Sequence, residues 1–245
     1  CKARMFFIST SGIHGEFSQL PLSPDPSDLT DWKFGGCSFF REGNDMYYVV
    51  SRCHNVNKKC VAATRSTFIY KLNKRWTGFA HNAVVARWTW PRREAPFIFK
   101  HDNIYYLAAS ETAGWSDSRT WFRQAHSLAG LTNASEAELA MHPENTHRVK
   151  SMGSQFRFLM KVGYDQWIFV GSRYPDEDPT EFDNKCGKFV MTPATFIDGV
   201  PHVYWKTQFS WDSYEPGDYD EHYHGGCGNA PNSKLWSKIV LFPES

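Results

Sequence analysis

The residue whose surroundings best suit acid catalysis is Glu94, which stands between Trp90 and an apolar strand that begins at Phe97. A carboxyl group flanked in this way is partly desolvated, which raises its pKa and suits it to donate a proton as a general acid. The alternative is an ordinary loop glutamate that forms an ion pair with Arg92 or Arg93. Position alone favours the ordinary residue, so other features must decide.

A second cluster with chemical potential is formed by His222, His224 and Cys227. The two histidines lie on one side of an extended strand, and together with the cysteine they could bind zinc. No fourth ligand accompanies them. The pattern therefore favours a glycine-rich surface loop whose cysteine is in a disulfide, and we expect neither a metal nor any other cofactor.

The composition favours a packed domain with a glycan as its ligand. Aromatic residues make up 16% of the 245 residues, a content that disordered chains lack. The 27 Lys and Arg nearly balance the 26 Asp and Glu, which argues against nucleic acid or an anionic membrane as the partner. Aromatic rings beside scattered carboxylates suit the apolar faces and hydroxyls of sugars. No apolar run approaches the ~20 residues that a membrane span needs.

The six cysteines and one glycosylation sequon favour a secreted or cell-surface protein. Cys53 and Cys60 flank a short polar turn, which predicts a local disulfide across a hairpin. The tripeptide Asn133-Ala134-Ser135 is an acceptor for N-glycosylation and predicts a glycoprotein.

The elements that position these residues come as a repeat. Three apolar strands end alike at Ser51, Ser110 and Ser172, and the pattern recurs about every 60 residues. Each follows another apolar strand across a turn rich in Gly, Asp or Asn, which is a hairpin signal. Third strands are expected at residues 61–66, 121–127 and 188–192. Units of three or four strands at this spacing predict an all-β fold made of β-propeller blades.

The repeat also divides the chain. We expect residues 1–32 to be the end of an incomplete blade plus a loop, residues 33–92, 93–150 and 151–210 to be blades, and residues 211–245 to be a tail with a possible closing strand. The chain would then carry about three and a half blades of a five-bladed β-propeller. Because unclosed sheet edges invite pairing, another segment or chain is expected to complete the ring. The innermost strands line the central channel, so Glu94 would lie at a channel entrance.

Residues 90–175 carry motifs that are more specific than the repeat. Glu-Ala-Pro stands at 94–96, Ser-Glu-Thr-Ala-Gly-Trp at 110–115, Ser-Gln at 154–155 and Gly-Ser-Arg-Tyr at 171–174. This segment resembles glycoside hydrolase family 43, and most closely its exo-β-1,3-galactanase branch. The flanking parts of the chain resemble the family only in their blade pattern.

The resemblance implies an inverting hydrolase that removes galactose or related residues from the non-reducing end of a polysaccharide. It also implies that Glu94 is the general acid and that Gln155 occupies the place of the expected base. As an amide, Gln155 can hold a water but is a poor base, and by itself it would suit a strand-start residue bonded to backbone. The residues implied to lie near the sugar are Glu111, Thr112, Trp115 and Tyr174.

Departures from the family pattern support a second hypothesis. Gly36 stands where the family carries an aspartate that orients the acid, and Ser172 replaces another aspartate. The family's earlier catalytic carboxylates belong to blades before residue 1. Loss of a tuning carboxylate costs orders of magnitude in rate. Three functions are therefore open: an active exo-acting glycosidase, a catalytically impaired carbohydrate-binding or assembly module, and a purely structural subunit of a larger complex.

Overall fold

The structure is a computed structural model that describes residues 7–8, 18–19, 32–57, 59–112, 118–143, 156–163, 166–173, 188–206, 209–210 and 217–219. These residues form β-strands and two short 3₁₀ turns, at Ala62–Thr64 and Ala129–Thr132. None of the helical turns in these ranges has the length or apolarity needed to cross a membrane. The strands are β1 (Phe7–Ile8), β2 (Ser18–Gln19), β3 (Trp32–Glu42), β4 (Asp45–Val56), β5 (Lys59–Cys60), β6 (Ser66–Leu72), β7 (Phe79–Thr89), β8 (Arg93–His101), β9 (Ile104–Glu111), β10 (Thr120–Ala125), β11 (Glu136–Glu138), β12 (Ala140–His142), β13 (Phe156–Lys161), β14 (Trp167–Arg173), β15 (Lys188–Ile197) and β16 (Val200–Tyr204).

The strands build several mainly antiparallel sheets, so the all-β fold class is confirmed. The chain divides into two compact units, of which the first holds β1 to β11 and the start of β13. In this unit one sheet has the order β3-β4-β6-β7, with β5 paired to β4, and another has the order β8-β9-β10-β11. All of these pairings are antiparallel.

Alternation along β4 explains how the first sheet buries both of its faces. Tyr47 and Val49 point into a cluster that also contains Leu107 and Trp90. Leu107 lies in β9 of the neighbouring sheet, and Trp90 lies in the segment that leads into β8. Tyr48 and Val50 point the opposite way, into a second cluster. Successive side chains of a strand lie on opposite faces, so one apolar run serves two cores. The shared cluster fixes the two sheets of the first unit against each other.

The second unit holds β12, the end of β13 and β14 to β16, and these strands belong to one sheet with the order β12-β16-β15-β14-β13. The pairs β14–β15 and β15–β16 are antiparallel. The short strand β12 pairs in parallel with β16, with Ala140 opposite His202 and His142 opposite Tyr204. A short strand from earlier in the chain therefore forms an edge of this sheet.

The third strand of the first repeat unit lies later in the chain than the sequence predicts. Residues 61–66 were expected to form it, but Ala62–Thr64 is a 3₁₀ turn and β6 begins at Ser66. The backbone N–H and the hydroxyl of Thr64 both donate to the carbonyl oxygen of Val61, at 3.0 and 2.8 Å. These bonds close a tight turn directly after β5, and only then does the chain extend into β6.

The predicted disulfide between Cys53 and Cys60 is confirmed, and it closes the β4–β5 hairpin. Replacing both cysteines with alanine is expected to lower the free energy of unfolding by roughly 2–3 kcal/mol, since a crosslink over a short loop restricts the unfolded chain. Denaturant unfolding of the double variant measures the loss. Cys37→Ala, which removes an exposed free thiol, is the matched control and should change little. Equal stability of all three proteins would contradict this role for the disulfide.

Candidate active site

Two β-bulges face each other where Glu94 lies. In β8 the register with β9 shifts between Glu94 and Phe97, and in β3 the register with β4 shifts between Phe34 and Cys37. Ala95, inside the β8 bulge, has a φ of 50°, in the left-handed region that a non-glycine residue enters at a cost. Bulges re-aim side chains and are common beside active sites. The local backbone therefore gives Glu94 an unusual, fixed direction.

Gly36 and Ala95 bring the two bulges into contact. A Cβ atom on Gly36 would lie 2.7 Å from the Cα and 3.0 Å from the N of Ala95, closer than side chains approach backbone. The Ser38 hydroxyl donates to the Pro96 carbonyl at 2.7 Å, and the Ser51 hydroxyl donates to the Gly36 carbonyl at 3.4 Å. The glycine at position 36 is therefore required by the close approach of β3 to β8.

The charged partner of Glu94 is Arg65. Arg65 Nη1 lies 3.3 Å from Glu94 Oε2, and the side chains are only 8% and 16% exposed. The alternative interpretation, a loop glutamate paired with Arg92 or Arg93, is wrong, since Glu94 is part of β8 and lies opposite Ser110. Burial raises the pKa of the Glu94 carboxyl, and the nearby Arg65 guanidinium offsets only part of that rise.

Arg93 belongs to a different cluster, which lies on the opposite face of β8 from Glu94. It forms an ion pair with Glu136, and its guanidinium lies 4.6 Å from the ring centre of Trp121. Glu111 is part of this cluster, because its Oε1 lies 3.8 Å from Arg93 and accepts a hydrogen bond from Trp121 at 3.2 Å. The structure therefore places Glu111 in a packed polar network and does not bring it together with Glu94.

Thr112 lies just beyond the end of β9, where its backbone N–H donates to the Arg92 carbonyl at 2.8 Å. Its hydroxyl oxygen is buried and has no hydrogen-bond partner among the described residues. Buried polar atoms without partners are uncommon, and a ligand hydroxyl is one group that could supply the missing bond. Thr112 directly follows β9, the strand that pairs with β8, where Glu94 lies.

The other residues singled out from the sequence lie mostly outside the described part of the chain. Ser172 lies in β14, in the second unit. Among the described residues no cluster of three potential metal ligands is found. The residues outside the described ranges are Trp115, Gln155, Tyr174, His222, His224 and Cys227.

Sequence reasoning missed Arg65. The residue falls within the segment that was expected to be a plain strand, and it contacts a glutamate 29 positions away only because two sheets pack together. One signal was available. Arg65 is the only charged residue between Cys60 and Lys71, and a charge at the edge of an apolar strand is seldom buried without a partner.

The site offers one proton donor and one fixed cation. Within the described residues, Arg65 is the only charged group that shifts the pKa of Glu94, and no second carboxylate does so. A carboxyl group in this setting can donate a proton to a leaving oxygen, and the guanidinium can stabilise the carboxylate that results.

The amino-acid sequence matches no protein-family model and no curated protein. The fold is similar to that of several solved carbohydrate-active enzymes. An exo-β-1,3-galactanase from Phanerochaete chrysosporium, solved with galactose, matches with a TM-score of 0.57 and 22% identity over 77% of this chain and 39% of its own. A β-1,3-galactosidase of glycoside hydrolase family 43 has a TM-score of 0.61 and 18% identity, over 82% of this chain and 38% of its own.

A xylan β-1,4-xylosidase from Bacillus halodurans matches with a TM-score of 0.56 and 10% identity, over 82% of this chain and 38% of its own. The chain therefore spans about four tenths of the length of these three enzymes. At these identities the similarity establishes a fold like that of glycoside hydrolases. Because two of these enzymes are named for β-1,3-linked galactose and the third for β-1,4-linked xylose, the fold by itself does not select a substrate.

Proposed function

We propose that this protein is a glycoside hydrolase of family 43 that removes galactose from the non-reducing end of β-1,3-galactan with inversion. The observation that carries the proposal is the Glu94 carboxyl, which is held on a bulge, mostly buried and raised in pKa. The choice of sugar rests on the motifs in residues 90–175, which resemble those of exo-β-1,3-galactanases. The proposed fold is a five-bladed propeller, to which the three larger sheets contribute blades and which other segments or chains complete.

In the proposed reaction Glu94 gives its proton to the glycosidic oxygen as the bond from that oxygen to the anomeric carbon breaks. The bonding electrons stay on the oxygen, so the remaining glycan leaves as an alcohol. A water molecule attacks the anomeric carbon from the opposite face, and its surplus proton passes to solvent, from which Glu94 is protonated again. Inversion follows because a single displacement occurs.

Gln155 is proposed to orient the attacking water, since an amide can hold a water but cannot accept its proton. Thr112 is proposed to bond a hydroxyl of the terminal sugar, which would satisfy its buried oxygen. Trp115 and Tyr174 are proposed to contact the apolar face of that sugar, as aromatic rings commonly do in glycan sites. Glu111 is held in the Arg93 network and is proposed to fix the end of β9.

Sugar release from a panel of polysaccharides tests the proposal. Incubation with β-1,3-galactan, xylan and arabinan is expected to release galactose alone, and only while the non-reducing ends are free. Oligosaccharides labelled at the reducing end should shorten by one unit at a time. Release of xylose or arabinose instead would overturn the galactan assignment. Internal cleavage would overturn the exo mode.

The pH dependence of hydrolysis follows from the state of Glu94. A general acid must carry its proton in the free enzyme, so kcat/KM falls as pH rises through the pKa of Glu94. Because burial raises that pKa, the decline should begin at a higher pH than an ordinary glutamate would give. The dependence of kcat/KM on pH, measured for the wild-type protein, shows where this decline (the alkaline limb of the profile) begins. A decline in the usual titration range of an exposed glutamate would contradict the assignment.

A carbohydrate-binding module without hydrolytic activity is the second candidate function. One observation favours it: position 36 has no room for the aspartate of the family pattern. Calorimetric titration with β-1,3-galactotriose separates the two candidates. Binding without release of galactose would support the module, whereas turnover would support the enzyme.

Secretion is proposed on the strength of the Cys53–Cys60 disulfide, because such bonds persist in oxidising compartments. Asn133 is exposed and directly follows a 3₁₀ turn, so a glycosyltransferase can reach it. We propose that this residue is glycosylated in the secreted protein. A mass shift that disappears in Asn133→Gln would support the modification.

A further inference from the structure

Arg65 is unusual because it is buried with few contacts for its charge. The residue is 6% exposed, and its Nε atom has no hydrogen-bond partner among the described residues. Its two other nitrogens contact Glu94 Oε2 at 3.3 Å and the disulfide sulfur of Cys60 at 3.4 Å. A buried guanidinium costs free energy unless it is paired with a suitable group, and Glu94 is the one carboxylate among the described residues with which Arg65 forms an ion pair.

Three interactions hold the backbone around Arg65 in place. Its N–H donates to the Ala62 carbonyl at 3.2 Å, and its carbonyl accepts from the Trp90 N–H at 2.8 Å. The Cys53–Cys60 disulfide closes the hairpin that leads into this turn. The backbone of Arg65 is therefore fixed relative to β6 and to the segment that enters β8. Its side chain extends from this fixed backbone to Glu94.

From this geometry we infer that Arg65 is a positioning residue for the proposed hydrolysis: it holds one carboxyl oxygen of Glu94 and leaves the other to carry the proton that is transferred. The inference rests on the proposed function for its catalytic meaning. The 3.3 Å contact involves Oε2, so the transferred proton is assigned to Oε1. Once the proton has left, the adjacent guanidinium stabilises the carboxylate, and this stabilisation grows as charge develops.

Position 35 supports this assignment. A Cβ atom on Gly35 would come 2.8 Å from Arg65 Nη1 and would also meet the Ser51 hydroxyl. The two neighbouring glycines thus avoid different contacts: the missing side chain of Gly36 leaves room for the backbone of β8, and that of Gly35 leaves room for the Arg65 guanidinium. The β3 bulge thereby provides space for Arg65 where a larger residue would displace it from Glu94.

The test compares Arg65→Met, which removes the charge and keeps the length, with Arg65→Lys, which keeps the charge. Arg87→Met is the matched control, since Arg87 stacks over Trp32 and Phe68 and is not among the groups that shift the pKa of Glu94. Two quantities are measured on the full-length protein. One is the pH profile of kcat/KM, and the other is the ¹³C NMR titration of the Glu94 carboxyl without substrate, assigned by its absence in Glu94→Gln.

Arg65→Met is expected to lower kcat by up to about 100-fold, the scale expected when a reacting group is misplaced. Removing the cation also raises the pKa of Glu94, so both the alkaline limb and the NMR titration should move to higher pH. Arg65→Lys should keep the wild-type titration and recover part of kcat, and Arg87→Met should match the wild type. If Arg65→Met does not fold, Arg65→Gln takes its place with the same expectations.

A fall in kcat with an unmoved alkaline limb and an unmoved titration would overturn the inference, because a merely structural role has that signature. The proposed function fails separately. If the wild-type protein releases no sugar while the Glu94 titration still moves in Arg65→Met, the contact is real but the hydrolase assignment is wrong. If neither the high-pH decline of kcat/KM nor the Glu94 titration moves in Arg65→Met, the positioning role is wrong, whatever the activity of the wild-type protein.

Discussion

Replacing Glu94 with glutamine is expected to lower kcat for β-1,3-galactotriose by about 10²–10⁴-fold, the usual contribution of a positioned acid. Glutamine keeps the size of the side chain and an oxygen that can accept from Arg65, but it has no proton of suitable acidity to transfer. Binding of the sugar should change little, because the loss arises in the transition state. Initial rates over a range of substrate concentrations separate kcat from KM.

The leaving group distinguishes loss of the acid from general damage to the site. A galactoside with a 2,4-dinitrophenyl leaving group departs without protonation, so Glu94→Gln should hydrolyse it at close to the wild-type rate. Glu138→Gln is the matched control, because Glu138 lies in the same sheet in a partly exposed pair with Arg119 at 3.2 Å. Surface pairs of this kind contribute ~0–1 kcal/mol, so its activity should be unchanged. Equal losses on both substrates in Glu94→Gln would argue against its role as acid.

Introducing aspartate at position 36 is expected to destabilise the protein and to reduce any hydrolytic activity. From the family pattern alone, Gly36→Asp restores a missing carboxylate and should increase the rate. The structure predicts the opposite, because the new Cβ would meet Ala95 Cα at 2.7 Å. Overpacking of this kind costs about 1–3 kcal/mol.

Alanine variants isolate the steric part of this effect. Gly36→Ala should lose about 1–3 kcal/mol, since the atom it meets is rigid backbone. Gly35→Ala is the comparison, because the two atoms nearest its new Cβ belong to the Ser51 and Arg65 side chains and the nearest backbone atom, the Ser51 carbonyl oxygen, lies at 3.2 Å. Denaturant unfolding of both variants should show the larger loss at position 36. A stable, more active Gly36→Asp protein would contradict the close packing of β3 on β8.

Local patterns predicted much of the fold. The hairpin of β8 and β9 follows from two apolar strands around His101-Asp102-Asn103, and Asp102 and Asn103 have the positive φ values that such a turn requires. The Cys53–Cys60 bond follows from seven-residue spacing across a polar turn. These features depend on neighbours in the chain, which is why the sequence shows them.

The candidate site was only half predictable for the same reason. Glu94 could be identified from its flanking residues, but its contact with Arg65 depends on the packing of two sheets. Nothing in the sequence marks Ala95 for a left-handed conformation, since alanine does not favour it. Gly36 was interpreted as a lost aspartate, whereas its contact with Ala95 shows a backbone requirement that no single-sequence pattern encodes.

The identity of the first sugar released from β-1,3-galactotriose tests the proposed hydrolysis most directly. Proton NMR during the first minutes, before the anomers equilibrate, distinguishes α-galactose from β-galactose. Inversion by Glu94 and a directed water predicts α-galactose from the wild-type protein and almost none from Glu94→Gln. Initial release of β-galactose, or tight binding with no release at all, would contradict it.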